Sequence, residues 1–197
     1  MTRKTKIHLD KPIVMVGLMG AGKTSVGRAL ARSLGITFVD SDKEIETAAG
    51  ASVVDIFSMY GEQEFRRAEK SVIERLLDSE PRVKVISTGE GAFITPAVRE
   101  MVLNRAVSIW LKADLDLLVK RTNFRRTRPQ LLNNDSRAIL SQLINERYDT
   151  YAMANIMVET HDESLRKTLD AVLAALSQYQ RNSGVETHQK HKTEQKG

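Results

Sequence analysis

The sequence predicts a three-layer α/β/α fold, a parallel sheet with helices on both faces and a phosphate-binding loop at its edge. Three observations predict it. Short valine- and isoleucine-rich runs alternate with longer segments of helical periodicity. The first run ends in Gly17-Leu18-Met19-Gly20-Ala21-Gly22-Lys23-Thr24, which matches G-x-x-x-x-G-K-[ST] between a strand and a helix. A chain of 197 residues with 41% hydrophobic content is enough for one domain with a sizeable core.

Pro12 to Leu18 reads as the first strand, and Thr24 to Leu34 as the first helix, with Val26, Leu30 and Leu34 on one face. Gly35 stops that helix. Ile36 to Val39 reads as a second, buried-type strand running into Asp40 and Asp42. Helical patterns cover Lys43 to Ala49, Val53 to Tyr60 and Glu62 to Leu77, and Ser52 with Asp55 fits a capping box. A third strand, Val83 to Ser87, leads into Gly89-Glu90-Gly91. Thr95-Pro96 then opens a helix as cap and first residue. The fourth strand is Ala106 to Leu111, followed by a helix over Asp114 to Arg121 and an irregular arginine-rich loop over 122–135. Ser136 to Tyr148 is helical and Ile156 to Glu159 is the fifth strand. The last helix, Ser164 to Tyr179, turns Leu165, Leu169, Val172, Leu173 and Leu176 toward the sheet.

The formal charge of +5 belongs to the ends of the chain. Residues 1–11 carry net +3 and residues 181–197 net +2, which leaves 12–180 with 22 basic and 22 acidic residues. A neutral body argues against nucleic-acid binding. The expected organisation is a polar segment over 1–11, one domain over 12–180 and a disordered polar tail over 181–197. Cysteine is absent, so there is no disulfide framework or thiolate metal site. The start of the chain carries no apolar run of signal or membrane-span length, so a cytoplasmic protein is expected. A monomer is the expected state.

The glycines of the loop let backbone N–H groups close around phosphate oxygens, and the following helix aims its positive end at them. Gly20, Ala21, Gly22, Lys23, Thr24 and Ser25 are the candidate nucleotide contacts. Lys23 brings positive charge to the phosphates. The Thr24 hydroxyl suits Mg²⁺ shared with the outer two phosphates of ATP. A GTP switch protein would also carry Asn-Lys-x-Asp, which does not occur. Asp40 and Asp42 stand two apart at a strand end, so both carboxylates point to one side if the strand persists. One can hold the metal's water shell while the other orients or deprotonates an acceptor hydroxyl. The bland alternative makes one of them, Asp42 in particular, a cap for the helix at Lys43. Lys120, Arg121, Arg125, Arg126 and Arg128 crowd 120–128 with no acid between them, the composition of a mobile lid over about 122–136 that closes on phosphates. Arg125 and Arg126 also read as solubilising surface charge.

Taken together, the loop, Asp40-Ser41-Asp42, Gly61-Glu62-Gln63-Glu64-Phe65-Arg66-Arg67, the 89–91 turn, Arg128-Pro129 and Glu146-Arg147-Tyr148 with Tyr151 resemble the shikimate kinase family in order and spacing over about residues 12–177. The resemblance implies a five-stranded sheet of order 2-3-1-4-5, a substrate-binding region over about 42–78, and ATP-dependent phosphorylation of the 3-hydroxyl of shikimate on the route to chorismate. It also implies roles: Thr24 and Asp40 for Mg²⁺; Asp42 for the acceptor hydroxyls; Arg66 and Arg147 for the acceptor carboxylate; Gly89, Glu90 and Gly91 along the acceptor. Arg128 would reach the phosphates and Arg121 would lie near adenine, so Lys23, Asp42 and Arg128 are the catalytic candidates. Two guanidinium groups select an anionic ring over a neutral sugar. By itself, the run Glu62 to Glu69 reads instead as a solvated helix face with i,i+4 ion pairs.

Glu90 departs from the family's three glycines. In a turn that needs positive φ it is expected to be strained, and its carboxylate is expected to repel the acceptor or capture Arg66 or Arg147. Gln130 and Asp149 are milder departures. Two other readings stay open on the residues alone: a kinase for another small anionic metabolite such as a sugar acid, and a nucleotide-binding protein without turnover.

Overall fold

The computed structural model describes residue 7, residues 9–123 and residues 136–194, with side chains described up to residue 182 apart from residue 123. Arg125, Arg126, Arg128 and Gln130, and almost all of the expected lid, lie outside the described residues.

Five parallel strands form one sheet: β1 (Ile13–Val16), β2 (Thr37–Asp40), β3 (Lys84–Ser87), β4 (Val107–Ala113) and β5 (Ile156–Thr160), in the order β2-β3-β1-β4-β5. The order is the one the resemblance implies. β1 lies in the middle and every residue in it is buried, as a run without polar alternation requires. β2 departs from the buried type: it is an edge strand, with Thr37 exposed and the rest half-buried. Phe38 there is covered by the Arg28 guanidinium, 5.1 Å from the ring centroid.

Seven helices flank the sheet among the described residues: α1 (Lys23–Leu34), α2 (Ser41–Ala49), α3 (Val53–Asp78), α4 (Pro96–Arg105), α5 (Leu115–Asn123), α6 (Ser136–Tyr151) and α7 (Leu165–Glu194). The two helices expected on either side of Gly61 form one element, α3, kinked at Gly61, whose φ of 80° and ψ of 173° lie outside the helical region. The expected box at its start is present. Ser52 Oγ accepts from the Asp55 N–H at 3.1 Å and donates to the Asp55 carboxylate at 2.6 Å.

Three expectations need correction. Leu165 is exposed, and Thr168 is buried in its place beside Val172 and Leu176, because the helix meets the sheet about one turn later than the apolar pattern suggests. α6 runs one turn past Tyr148 to Tyr151, whose ring is fully buried against Phe93 and Trp110. Where a disordered tail was expected from Arg181, α7 continues to Glu194. The tail contains no proline, and extending a nucleated helix adds one backbone hydrogen bond per residue without a new nucleation cost.

The register lines up the carboxyl ends of the strands. Met15 of β1 and Asp40 of β2 both sit opposite Ser87 of β3. The loop after β1, the carboxylate at the end of β2 and the 89–91 turn after β3 therefore share one edge of the sheet, where ligands of such folds bind.

Candidate active site

The loop after β1 hands over to α1 at Gly22, the N-cap, whose φ of 98° places it in the left-handed region that favours glycine. The first turn of α1 contains no acidic residue of its own, which leaves the positive helix end open to an anion. Lys23 folds back across the loop, and its Nζ donates to the carbonyls of Gly17 at 2.8 Å and Leu18 at 2.9 Å. Arg121 reaches in from α5 and donates weakly to the carbonyls of Gly20 and Ala21 at 3.4 and 3.5 Å and to that of His161 at 3.1 Å.

Thr24 joins the loop to the carboxylates. Its Oγ1 donates to Asp40 Oδ2 at 3.0 Å and lies 3.3 Å from Ser87 Oγ. Asp40 Oδ1 accepts from the Asp42 N–H at 3.2 Å, so the cap of α2 is Asp40 and not Asp42. The strand ends at Asp40, and the same-side argument for two strand residues does not apply. Asp42 instead occupies the first turn of α2 and turns toward the same cavity from there. That cavity, about 510 Å³, is lined by Gly20 to Ser25, Asp40, Asp42, Ser87 to Glu90 and Arg121, with Glu163, Leu165 and Thr168 of the α7 end closing one side.

Behind the 89–91 turn stand the two arginines. Arg66 Nη1 donates to Glu69 Oε2 at 2.8 Å, and Nη2 approaches Glu62 at 3.3 Å. Arg147 Nη1 lies 3.8 Å from Glu90 Oε1. Neither arginine lines the cavity; both back the turn that does. Gly89 and Gly91 are small because of crowding. A Cβ on Gly89 would come within 2.6 Å of Asp42 Oδ1 and 2.9 Å of Glu69 Oε1, and a Cβ on Gly91 would overlap the Arg66 guanidinium. No described non-glycine residue has positive φ, so the strain expected at Glu90 is absent: the turn needs space at its flanks and makes no left-handed step at Glu90. The expected capture of Arg147 by Glu90 is present as an ion pair.

Sequence reasoning read Glu69 only as the end of a solvated helix face and gave Tyr151 no role beyond its place in the motif. Glu69 is 1% exposed, and burial pushes its carboxyl above the ordinary value, with Arg66 pulling it back and Asp42 and Glu90 adding to the rise. The i,i+3 spacing to Arg66 was the available signal, yet it looks the same on a solvated face. Tyr151 donates its hydroxyl to the Glu90 carbonyl, and burial, then the nearby Glu90, pushes the phenol up.

The family model described as shikimate kinase matches residues 19–177. The chain belongs to the shikimate kinase family. This kinase is therefore a phosphotransferase that takes its phosphoryl group from ATP and passes it to an alcohol, the shikimate hydroxyl. It is 48% identical over 172 residues to the shikimate kinase of Paramagnetospirillum magneticum, covering 87% of each chain. Among solved structures it is similar to a shikimate kinase from Acinetobacter baumannii in complex with shikimate, with a TM-score of 0.78 and 36% identity, covering 83% of this chain and 92% of that one. A gluconokinase from Sinorhizobium meliloti is 18% identical with a TM-score of 0.59, covering 90% of this chain and 98% of that one, and shares the fold alone. The structure thus brings Lys23, Thr24, Asp40, Asp42, Gly89, Glu90 and Arg121 of this kinase to one cavity and sets Gly91, Arg66 and Arg147 outside its lining.

Proposed function

We propose that this kinase transfers the γ-phosphoryl group of ATP to the 3-hydroxyl of shikimate with the following division of labour. The 17–24 loop and Lys23 hold the triphosphate, and Arg121 borders the nucleoside end. Arg128, which lies outside the described residues, is assigned to the phosphates by the family resemblance. Thr24 and Asp40 would hold Mg²⁺. Their hard oxygens, 3.0 Å apart, suit it. When bound, Mg²⁺ neutralises charge shared by the outer phosphates.

Asp42 accepts the hydrogen bond of the 3-hydroxyl and takes its proton as that oxygen forms the new bond to phosphorus. The bond from phosphorus to the β,γ-bridging oxygen breaks, and ADP leaves. Arg66 and Arg147 pair with the acceptor carboxylate and the turn supports the ring. We take the monomer as the acting unit. No described helix is long and apolar enough to cross a membrane; we place the reaction in the cytoplasm.

The observation that carries the reading is the Thr24–Asp40 contact, which joins the phosphate loop to the acceptor side of a single cavity. Coupled ADP release tests it. Release that depends on shikimate and is absent with gluconate or without acceptor is the expected result, whereas gluconate-dependent or acceptor-independent release contradicts it.

A further inference from the structure

Glu90 is the only side chain beyond Cα in the Gly89-Glu90-Gly91 turn, and it is held there from two directions. Its backbone carbonyl accepts the Tyr151 hydroxyl, and its carboxylate, 14% exposed, faces Arg147 at 3.8 Å. Tyr151 and Arg147 both belong to α6, so one helix fixes both ends of the pair. At 3.8 Å the two groups attract but do not hydrogen-bond. The Arg147 Nη1 donor is buried, and no hydrogen bond uses it. Arg66 already has Glu69 as hydrogen-bonded counter-ion. Glu62, Glu69 and Glu90 thus bring three carboxyl groups to two arginines.

We propose that Glu90 is a specificity-determining residue: a resident counter-charge on Arg147 that lowers this kinase's preference for an anionic acceptor over an uncharged one. The inference rests on the shikimate reading above. The acceptor carboxylate meets an arginine whose charge is already balanced but whose N–H is unspent. It gains a directed hydrogen bond while losing most of the net attraction it would feel from a bare guanidinium, and it is repelled by Glu90 at the same time. An acceptor with the same hydroxyls and no charge forfeits correspondingly little.

The test compares kcat/KM for shikimate and for its methyl ester in the wild type, Glu90→Gly and Glu90→Gln. Glutamine keeps the size and removes the charge. The acid-to-ester ratio is expected to rise about tenfold or more in both variants, through a lower KM for the acid, with KM for ATP unchanged. An unchanged ratio in both, or a rise in Glu90→Gly alone, overturns the proposal, the latter by making the effect one of room. If no form turns over shikimate, the functional reading fails separately. Calorimetric titration with cyclohex-1-ene-1-carboxylate then still decides the role of Glu90: tighter binding in both variants supports it, and equal affinity in all three overturns it.

Discussion

Lys23 lies folded across its own loop. Donating to Gly17 and Leu18, it spans the opening of the loop, and the same Nζ is the mobile charge available to the phosphates. Lys23→Ala is expected to lower kcat by about 10²–10³-fold or more, as loss of a transition-state donor does; steady-state rates at saturating ATP check this. Gly91→Ala pushes a methyl into the Arg66 guanidinium and is expected to raise KM for shikimate about tenfold or more while leaving KM for ATP within about twofold, since misplacing one clamp group costs on this scale. Glu69 gives a pH signature. Burial raises its pKa in the folded state above the unfolded value, so its contribution to stability is complete below the ordinary carboxylate range and is lost as pH rises through the folded value. The stability of the wild type relative to Glu69→Gln is therefore expected to fall as pH rises above the ordinary carboxylate range in urea unfolding. A flat or rising difference contradicts the assignment.

At the scale of elements, α3 depends on its kink. Gly61 adopts a φ,ψ pair open almost only to glycine, and a Cβ there would meet nothing within 4 Å, so any cost of substitution is conformational. Gly61→Ala is expected to cost about 1–3 kcal/mol, a fall in Tm of several degrees for a domain of this size. Calorimetric melting that leaves Tm in place would show that the helix straightens without penalty. The kink matters to the site because Arg66 and Glu69 stand on the segment after it. The far end of that segment is tied down by Lys84, a buried amine on β3 that donates to the carbonyls of Leu76 at 3.0 Å and Ser79 at 2.5 Å. Burial lowers the pKa of that amine.

For the whole molecule, the ligand site is part of the stability. The carboxyl ends of three strands, α1 and the end of α7 converge on one cavity, so Mg-ATP at about 100 times its Kd is expected to add roughly 2.7 kcal/mol to unfolding. Thermal melts with and without nucleotide check this, and Lys23→Ala should lose most of the shift. A nucleotide shift equal in wild type and variant would mean that the loop is not where the phosphates bind.

The sequence by itself determined the strand-loop-helix unit of Gly17 to Thr24, the alternation that builds the sheet, and the set of residues at the strand ends. These features are local, and periodicity with glycine spacing encodes them. Only the tertiary structure decided that Asp40 rather than Asp42 caps α2, that Glu69 is buried beside Arg66, and that Glu90 sits unstrained against Arg147. The cap is a local bond whose place follows from where β2 stops, with Asp40 opposite Ser87, while the other two depend on groups distant along the chain: Glu69 beside Gly89, and Glu90 between Tyr151 and Arg147 of α6. A one-dimensional pattern states which charges a helix carries, whereas burial and the distance between partners follow from packing, and these set what each charge does.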